Sequence, residues 1–199
     1  MKRITAYVLA LVLACSCAVS MAGAYTDVPG GSALAGEVEK AVSYGLMNGY
    51  SQDRFGYSDA MTRAQFVVVL TRMMGWQTPS DEETAASITA AMALPKNLSS
   101  QYRSAIACAA AHDVIGQSEA FRPNSPATRA EMAEMLVRAL GLKSCAADAE
   151  KENSLPFTDV SDKKGYIAVA YEIGMTKGLT DTTFAPDRTA TRAQAAAML

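Results

Sequence analysis

"AMTRAQFVVVLTRMMG" (residues 60–75), "PATRAEMAEMLVRALG" (126–141) and "TATRAQAAAML" (189–199) share one pattern. In each, Thr-Arg-Ala is followed by Gln or Glu. When Thr62, Thr128 and Thr191 are aligned, apolar residues follow at positions +4, +7 and +8 in every copy. That spacing is typical of the apolar face of an amphipathic helix. Three copies that agree position by position indicate an internal repeat.

The repeat extends upstream of these helices. Each threonine is preceded, seven residues earlier, by a phenylalanine: Phe55, Phe121 and Phe184. The openers "YTDV" (25–28) and "FTDV" (157–160) also correspond. Two glycines lie 17 and 13 residues before the threonine in the first and third copies: Gly45 and Gly49, then Gly174 and Gly178. The pattern predicts helix, glycine-containing loop and helix in each copy. Because neither helix buries its apolar face alone, the copies should share one all-α core.

The second copy departs from this pattern. Ala111 and Ile115 occupy the places of the two glycines, Gly116 follows one residue late, and the opener is missing. A bulky Ile115 predicts a weakened loop, so Arg129 of the same copy is expected to be mainly structural. Alternatively, grooves between repeats borrow residues from their neighbours, and Arg129 then serves a groove that copy one or three completes. An extra stretch, 77–97, precedes this copy, where Ser80 and Glu83 could cap a short helix.

The repeats divide the chain into segments. Repeat one covers 25–76, repeat two 77–141 and repeat three 155–199, with 142–154 as a polar linker. Repeat three reaches Leu199, about five residues short of the length of the first copy's helix. Helices are predicted near 33–46, 63–75, 100–112, 129–141, 163–174 and from 192 onward.

Residues 1–24 have the form of a secretory signal. Lys2 and Arg3 precede an apolar run, and Ala22-Gly23-Ala24 resembles a peptidase site, which predicts cleavage before Tyr25. An uncleaved anchor is disfavoured because the run is short for a membrane span. Lipidation at Cys15 is an open alternative. We therefore expect a secreted protein without a membrane span after cleavage.

Charge and cysteine content exclude several classes of protein. Without Lys2 and Arg3 the chain has 16 basic and 20 acidic residues, a net charge of −4. It thus has no general attraction for nucleic acid or anionic membranes. Cys108 and Cys145 remain after cleavage, either as a disulfide or as two free thiols. With one histidine, His112, they make no zinc site, and no cofactor is predicted.

Helix capping explains most of the repeated motif. Thr and the Gln or Glu three residues later form a capping box, which satisfies amides of the first helical turn. Capping does not explain the arginines Arg63, Arg129 and Arg192. They lie at the first helical position, where a cation is mildly unfavourable beside the helix dipole. Either each pairs with a carboxylate, such as Asp27 or Asp159 of the openers, or arginine and free first-turn amides together receive an anion.

These motifs, taken in order, resemble the S-layer homology domain family. The resemblance covers the whole chain after the signal and includes "YGLMNGY", "IGMTKGL", "DRFGYSDAMTRAQ" and "TTFAPDRTATRAQ". It implies three repeats in a pseudo-threefold helical assembly. It also implies that grooves between repeats bind a secondary cell-wall polysaccharide, commonly bearing pyruvate ketals, and so hold exported proteins on the cell surface. Gln65 and Gln194 depart from the family's usual Glu.

The resemblance carries over to particular positions of this chain. The glycan-binding residues that it implies are Arg63, Arg129, Arg192, Asp27, Asp159, Gly45, Gly49, Gly174 and Gly178. The alternative function is a structural or protein-interaction component of the envelope that binds no glycan. A catalytic role is disfavoured because the acidic residues fall in openers, caps and linkers.

Overall fold

The chain folds as an all-α protein, as the sequence predicts. The computed structural model describes residues 25–77, 87–88, 90, 92–116, 121–152 and 155–199. Seven helices lie within these ranges: α1 Ala35–Ser43, α2 Arg63–Met73, α3 Ser100–Ala111, α4 Arg129–Ala139, α5 Lys143–Glu152, α6 Lys164–Glu172 and α7 Arg192–Ala196. In the described part of the chain, none is long and apolar enough to cross a bilayer. The expected signal and the Ser80/Glu83 cap lie outside the described residues.

The three capping boxes form as predicted. Thr62, Thr128 and Thr191 are the N-caps of α2, α4 and α7. Each hydroxyl accepts a hydrogen bond from the amide three residues on, at 3.2–3.3 Å. The side chain at that third position accepts from the threonine amide at 3.0 Å. The shared motif therefore starts three equivalent helices.

The repeats close into a ring. The second helix of each copy packs on the first helix of the next: α2 on α3, α4 on α6, and α7 on α1. The last of these contacts joins the third copy to the first, so the copies are related by a pseudo-threefold axis. The predicted shared core results, with Phe66, Met132 and Ala195 at the +4 position all fully buried.

Backbone hydrogen bonds join the copies at the residue before each threonine. Met61 N donates to Ala190 O at 2.9 Å, Ala190 N to Ala127 O at 3.1 Å, and Ala127 N to Met61 O at 2.8 Å. The three residues are at most 1% exposed. This axial ring, as we call the three hydrogen bonds, sets the spacing of the three helix N-termini.

Residues 142–152 of the polar segment 142–154 are more ordered than its interpretation as a linker implied. Ten of its residues form α5, which packs on α6. Gly165 of α6 allows this approach, because a Cβ there would overlap the backbone of Ala146. Glu150 accepts a hydrogen bond from the Gly165 amide. The sequence pattern did not predict this helix, because Ala146 is its only buried residue and it therefore has no repeated apolar positions.

The second copy replaces its missing glycine with an aspartate. Gly45 and Gly174 follow the C-caps of α1 and α6 with φ of +70° and +79°, a conformation that favours glycine. In the second copy Asp113 holds this position, after α3, with φ of +55°. Ala111, matched to Gly45 by counting, is instead the last residue of α3. The second copy's connection is therefore two residues shorter than the others.

The two cysteines form no disulfide. Cys108 is buried in α3 and Cys145 is exposed on α5. Burial raises the pKa of the Cys108 thiol. Of the two alternatives from the sequence, the structure shows free thiols.

Gly49 and Gly178 are required by close packing. A Cβ on Gly49 would lie 2.7 Å from Ser51 O and 2.8 Å from Arg54 O, and would also overlap the Tyr25 ring. A Cβ on Gly178 would meet Thr180 O and the Phe157 ring. These glycines let each opener aromatic lie beneath its loop.

We expect Gly49→Ala to lower the free energy of unfolding by about 1–3 kcal/mol, the usual cost of overpacking. Gly36→Ala is the matched control, since Gly36 lies in α1 with nothing within 4 Å of an added Cβ. That control should be neutral or stabilising by up to about 1 kcal/mol. Urea unfolding followed by circular dichroism measures both, and equal stabilities for the two variants would contradict the packing argument.

Candidate functional site

The repeat arginines reach into the neighbouring copy. Arg192, at the start of α7, donates from Nε to Phe55 O at 3.0 Å and from Nη2 to Asn48 O at 2.6 Å. Its guanidinium lies 4.7 Å from the Phe55 ring centre and 4.4 Å from that of Tyr50. Only 5% of Arg192 is exposed. The third copy thus supplies an arginine to the loop of the first.

Arg129 repeats this arrangement one copy earlier. Its Nε donates to Phe184 O at 2.8 Å and its Nη2 to Lys177 O at 2.6 Å, both in the third copy. Burial, together with nearby Arg188, lowers the pKa of Arg129, and the charge of Asp159 opposes that shift. Both arginines are therefore held by neutral carbonyl oxygens rather than by a paired carboxylate.

Arg63 is held differently. It lies over Phe121 of the second copy, 5.0 Å from the ring centre. Its Nη1 forms an ion pair with Glu131, and its buried Nε has no hydrogen-bond partner among the described residues. Arg63 therefore meets the expectation of a carboxylate partner, although the carboxylate is neither Asp27 nor Asp159.

The first-turn amides are not free for an anion, contrary to one of the two expectations. Arg192 N donates to Asp59 O at 2.9 Å and Ala193 N to Tyr57 O at 3.4 Å, so the first copy's loop covers the start of α7. The equivalent amides of α2 and α4 also bond to carbonyls of the next copy. Any ligand at these helices must be bound by side chains.

The opener aspartates hold the loops from beneath. Asp27 accepts hydrogen bonds from the amides of Phe55, Gly56 and Tyr57 at 2.7–2.9 Å. Asp159 accepts from Phe184 and Ala185 at 2.9 and 2.7 Å. Both aspartates thus position the loop segments whose carbonyls bind the arginines.

The first cleft, groove A, lies at the first copy, where Arg192 of the third copy and Tyr102 of the second copy complete its lining. It has a volume of about 240 Å³ and is lined by Asn48, Gly49, Tyr50, Gln65, Arg72, Tyr102 and Arg192, among others. Among the described residues no carboxylate lines it, and its two cations are Arg72 and Arg192. Tyr50 is 47% exposed and offers an aromatic surface. Groove A combines positive charge, an aromatic ring and amide side chains.

The second cleft, groove B, lies between the first and second copies, with a volume of about 260 Å³. Its charged lining residues are Arg63, Arg122, Arg138, Lys163, Glu131 and Glu134. Ile115 also lines it. The loop of the second copy therefore faces Arg63 of the first copy and not Arg129.

That placement puts Arg129 at the loop of the third copy, as the alternative interpretation expected, and which arginine binds most weakly stays a prediction. The expectation that Ile115 disables Arg129 assumed that each arginine serves the loop of its own copy. Each of the three arginines instead contacts the next copy. The second copy's unusual loop, with Ile115 in place of glycine, therefore lies beside Arg63 of the first copy.

The third cleft, groove C, is formed by the loop of the third copy and the residues around it. It has a volume of about 620 Å³ and includes Tyr171, Glu172, Gly174, Lys177, Gly178 and Asp181. Arg129 reaches its wall through Lys177 O. Two carboxylates against one lysine make this cleft less favourable for an anion than groove A.

Arg72 and Arg138 were missed by the sequence interpretation. Arg72 donates to Leu46 O at 3.1 Å, and Arg138 donates to Asp113 O at 3.2 Å. Each lines the groove beside its own helix. Both lie ten residues after the aligned threonine, so the repeat alignment contained the signal that would have identified them.

This ring of repeats with its inter-repeat grooves belongs to a known family. The S-layer homology domain profile matches residues 24–67, 96–133 and 156–196, more than half of the chain. The chain is therefore a member of the S-layer homology domain family, with three tandem repeats. Membership indicates a cell-surface anchoring module.

Similar proteins include both surface proteins and enzymes. The chain is 30% identical to S-layer protein EA1 of Bacillus anthracis over 182 residues, 89% of this chain and 20% of that protein. It is 28% identical to a cell surface protein of Thermoanaerobacter kivui over 161 residues, 78% of this chain and 18% of that protein. It is 32% identical to an endoglucanase of Bacillus sp. (strain KSM-635) over 164 residues, 77% of this chain and 16% of the enzyme. The chain thus spans a fifth or less of these relatives.

Asp27 makes the stability of the loop depend on pH. Partial burial opposes its ionisation, but the hydrogen bonds from Tyr57, Phe55 and Gly56 outweigh burial and lower the pKa below the ordinary 3.8. Because the folded pKa is depressed, the stabilisation is present above pH 3.8 and is lost as pH falls through the folded value.

We expect Asp27→Asn to lower the stability at pH 7 by about 1–3 kcal/mol, since its three amide donors lose a charged acceptor. The difference from wild type should shrink as pH falls below about 3.8. Thermal unfolding between pH 2 and 7 measures it, with Asp148→Asn on exposed α5 as the control. A difference that is constant across this range would contradict the assigned role.

Proposed function

We propose that this chain anchors protein at the cell surface by binding an anionic secondary cell-wall polysaccharide, with pyruvate ketals as the acidic groups, in groove A. The observation that carries the proposal is the lining of groove A, where Arg72 and Arg192 lie together without a lining carboxylate among the described residues. Family membership supports the anchoring role. No catalytic step is part of this function.

The two arginines suit a carboxylate ligand. Arg192 is already oriented by two carbonyls and Arg72 by one. Guanidinium groups held in place lose little side-chain entropy when they bind a carboxylate. Since the net charge of the chain after the signal is negative, attraction for an acidic polymer must come from such local cations.

Groove A also suits a sugar ring. Tyr50 is half exposed and has Arg192 on its ring and Gln65 Nε2 at its hydroxyl, at 3.3 Å. Aromatic rings pack against the apolar faces of ligands while amide groups bond to hydroxyls. The residues implied by the resemblance then divide by place: Arg192 and Gly49 line groove A, Gly45 and Asp27 shape its loop, and Arg63 lines groove B. Asp159, Gly174 and Gly178 belong to the equivalent loop at groove C, which Arg129 contacts from α4.

A second candidate is a protein-interaction component of the envelope. It is favoured by exposed apolar residues after the helices, since Tyr44 is 76% exposed and Ile173 is 46% exposed at equivalent C-cap positions. Binding to purified cell walls stripped of protein separates the two functions, because only the glycan-binding function predicts retention there.

We expect Arg72→Gln to weaken binding to purified wall polysaccharide by about 1.5–3 kcal/mol, the contribution of a hydrogen bond to a charged group. Tyr50→Ala, which removes an exposed ring, should weaken it as well. Lys151→Gln is the charge-matched control, since Lys151 lies on the exposed face of α5. Calorimetric titration measures affinity, after circular dichroism shows each variant to be folded.

Removing the pyruvate ketals from the polymer should abolish retention, and raising salt should weaken it because partly exposed charges are screened. Unchanged binding by both Arg72→Gln and Tyr50→Ala, or to the polymer without ketals, would rule out groove A as the site of an acidic glycan.

A further inference from the structure

We propose that Asn48 is a deamidation site on the loop that lines groove A, and that the hydroxyl of Tyr25 restrains the reaction by binding the Gly49 amide that would carry it out. The inference goes beyond the proposed function, since it holds whether or not groove A binds a glycan. It gives the opener aromatic of the first copy a chemical role in addition to its packing.

Asn48-Gly49 is the only Asn-Gly pair in the sequence, since the other three asparagines are followed by Leu or Ser. Glycine has no side chain to shield its amide nitrogen or to restrict its backbone. An asparagine before glycine is therefore the one whose side chain the following amide attacks most easily. Asn48 is exposed and lines groove A, so water reaches it.

The reaction needs no partner other than water and hydroxide. The Gly49 amide gives up its proton to hydroxide, and its nitrogen attacks the side-chain carbonyl carbon of Asn48. A carbon–nitrogen bond forms, the side-chain nitrogen leaves as ammonia after taking a proton from water, and a five-membered imide ring remains. Water then opens the ring at either carbonyl, which restores the Gly49 amide and leaves aspartate or isoaspartate at position 48. A group that binds the Gly49 amide therefore slows the first step.

Tyr25 binds that amide directly. Gly49 N donates a hydrogen bond to the Tyr25 hydroxyl at 3.1 Å. The Tyr25 ring packs against Phe55, with 5.5 Å between the ring centres, and lies where a Cβ on Gly49 would overlap it. The amide must break this hydrogen bond before it loses its proton, so the Tyr25 hydroxyl raises the barrier to attack.

The backbone around Asn48 is also held in place. The Asn48 carbonyl accepts a hydrogen bond from Arg192 Nη2 at 2.6 Å, and Tyr50 N donates to Arg54 O at 2.8 Å. Ring closure requires the Asn48 backbone to turn toward its own side chain, which these two bonds resist. Isoaspartate would lengthen the main chain at this point and move the carbonyl. Deamidation would thus remove one of the two carbonyl partners of Arg192.

The third copy lacks both parts of this arrangement. Lys177 precedes Gly178 there, and a lysine side chain has no carbonyl for an amide to attack. Phe157 fills the place of Tyr25, and its ring meets a Cβ on Gly178 as the Tyr25 ring meets one on Gly49. The ring therefore serves packing in both copies, whereas the hydroxyl occurs only in the copy that has the reactive pair.

The test compares Tyr25→Phe with the wild type and with Tyr44→Phe, which removes an exposed hydroxyl elsewhere in the first copy. The folded proteins are kept at mildly alkaline pH, and peptide mapping by mass spectrometry follows aspartate and isoaspartate at each asparagine. We expect Tyr25→Phe to deamidate at position 48 about two- to tenfold faster than the wild type, the ratio that corresponds to loss of one hydrogen bond. Tyr44→Phe should match the wild type.

Asn124 is the internal reference, since it is exposed in the second copy and a general loosening of the fold would speed both sites. Its rate should be the same in all three proteins. Phe157 shows that phenylalanine suits the opener position, so Tyr25→Phe should fold, which circular dichroism checks.

Hydrogen exchange of the Gly49 amide in the wild type provides a measurement that needs no variant. The amide should exchange more slowly in the folded protein than in the same protein unfolded in urea. Equal rates at position 48 in Tyr25→Phe and the wild type, a common acceleration at positions 48 and 124, or a Gly49 amide without protection would each overturn the inference.

Discussion

The structure depends on the axial ring of hydrogen bonds among Met61, Ala127 and Ala190. Each of these residues donates its amide to one neighbour and accepts at its carbonyl from the other, in a region closed to water. A buried backbone group without a hydrogen-bond partner costs free energy. Removal of one copy from the ring would therefore leave buried groups of the other two unpaired. This arrangement brings three helix N-termini together, although the dipoles of such ends repel. The carbonyls of the following loops, which bond to the first-turn amides, offset that repulsion.

Placement of the arginines follows from this ring. Because each second helix begins at the axis and packs on the next copy, its first side chain points into the loop of that copy. Asp27 and Asp159 hold the loop segments of the first and third copies, and the carbonyls of Phe55 and Phe184 then bind Arg192 and Arg129. Arg192 thus stabilises the contact between copies and also lines groove A.

The second copy shows how one short loop changes this relation. Asp113 holds the left-handed position and two residues fewer precede Thr128, and Arg63 forms an ion pair with Glu131 of α4 in place of hydrogen bonds to loop carbonyls. Groove B is similar in volume to groove A. The two differ in the partner of the repeat arginine, which is a carboxylate in groove B and backbone carbonyls in groove A. Helix α5 adds to the asymmetry, since Lys143 pairs with Asp113 at 2.6 Å and Glu150 bonds to the start of α6. Symmetric repeats have produced grooves that are chemically unequal.

The sequence by itself determined the repeat, the three capped helices and the all-α class. Those features are local, since capping and helical periodicity act within a few residues. It also placed Gly45 and Gly174 in the loops after the first helices, and the structure shows both in the left-handed conformation that favours glycine. It failed for 142–154, because a helix with one buried alanine has no apolar face to detect. Only the tertiary structure decided which loop each arginine contacts, and hence that Ile115 shares a groove with Arg63 and not with Arg129. Ring closure joins residues as far apart as Arg192 and Phe55, and their hydrogen bond depends on packing between copies that no local pattern specifies.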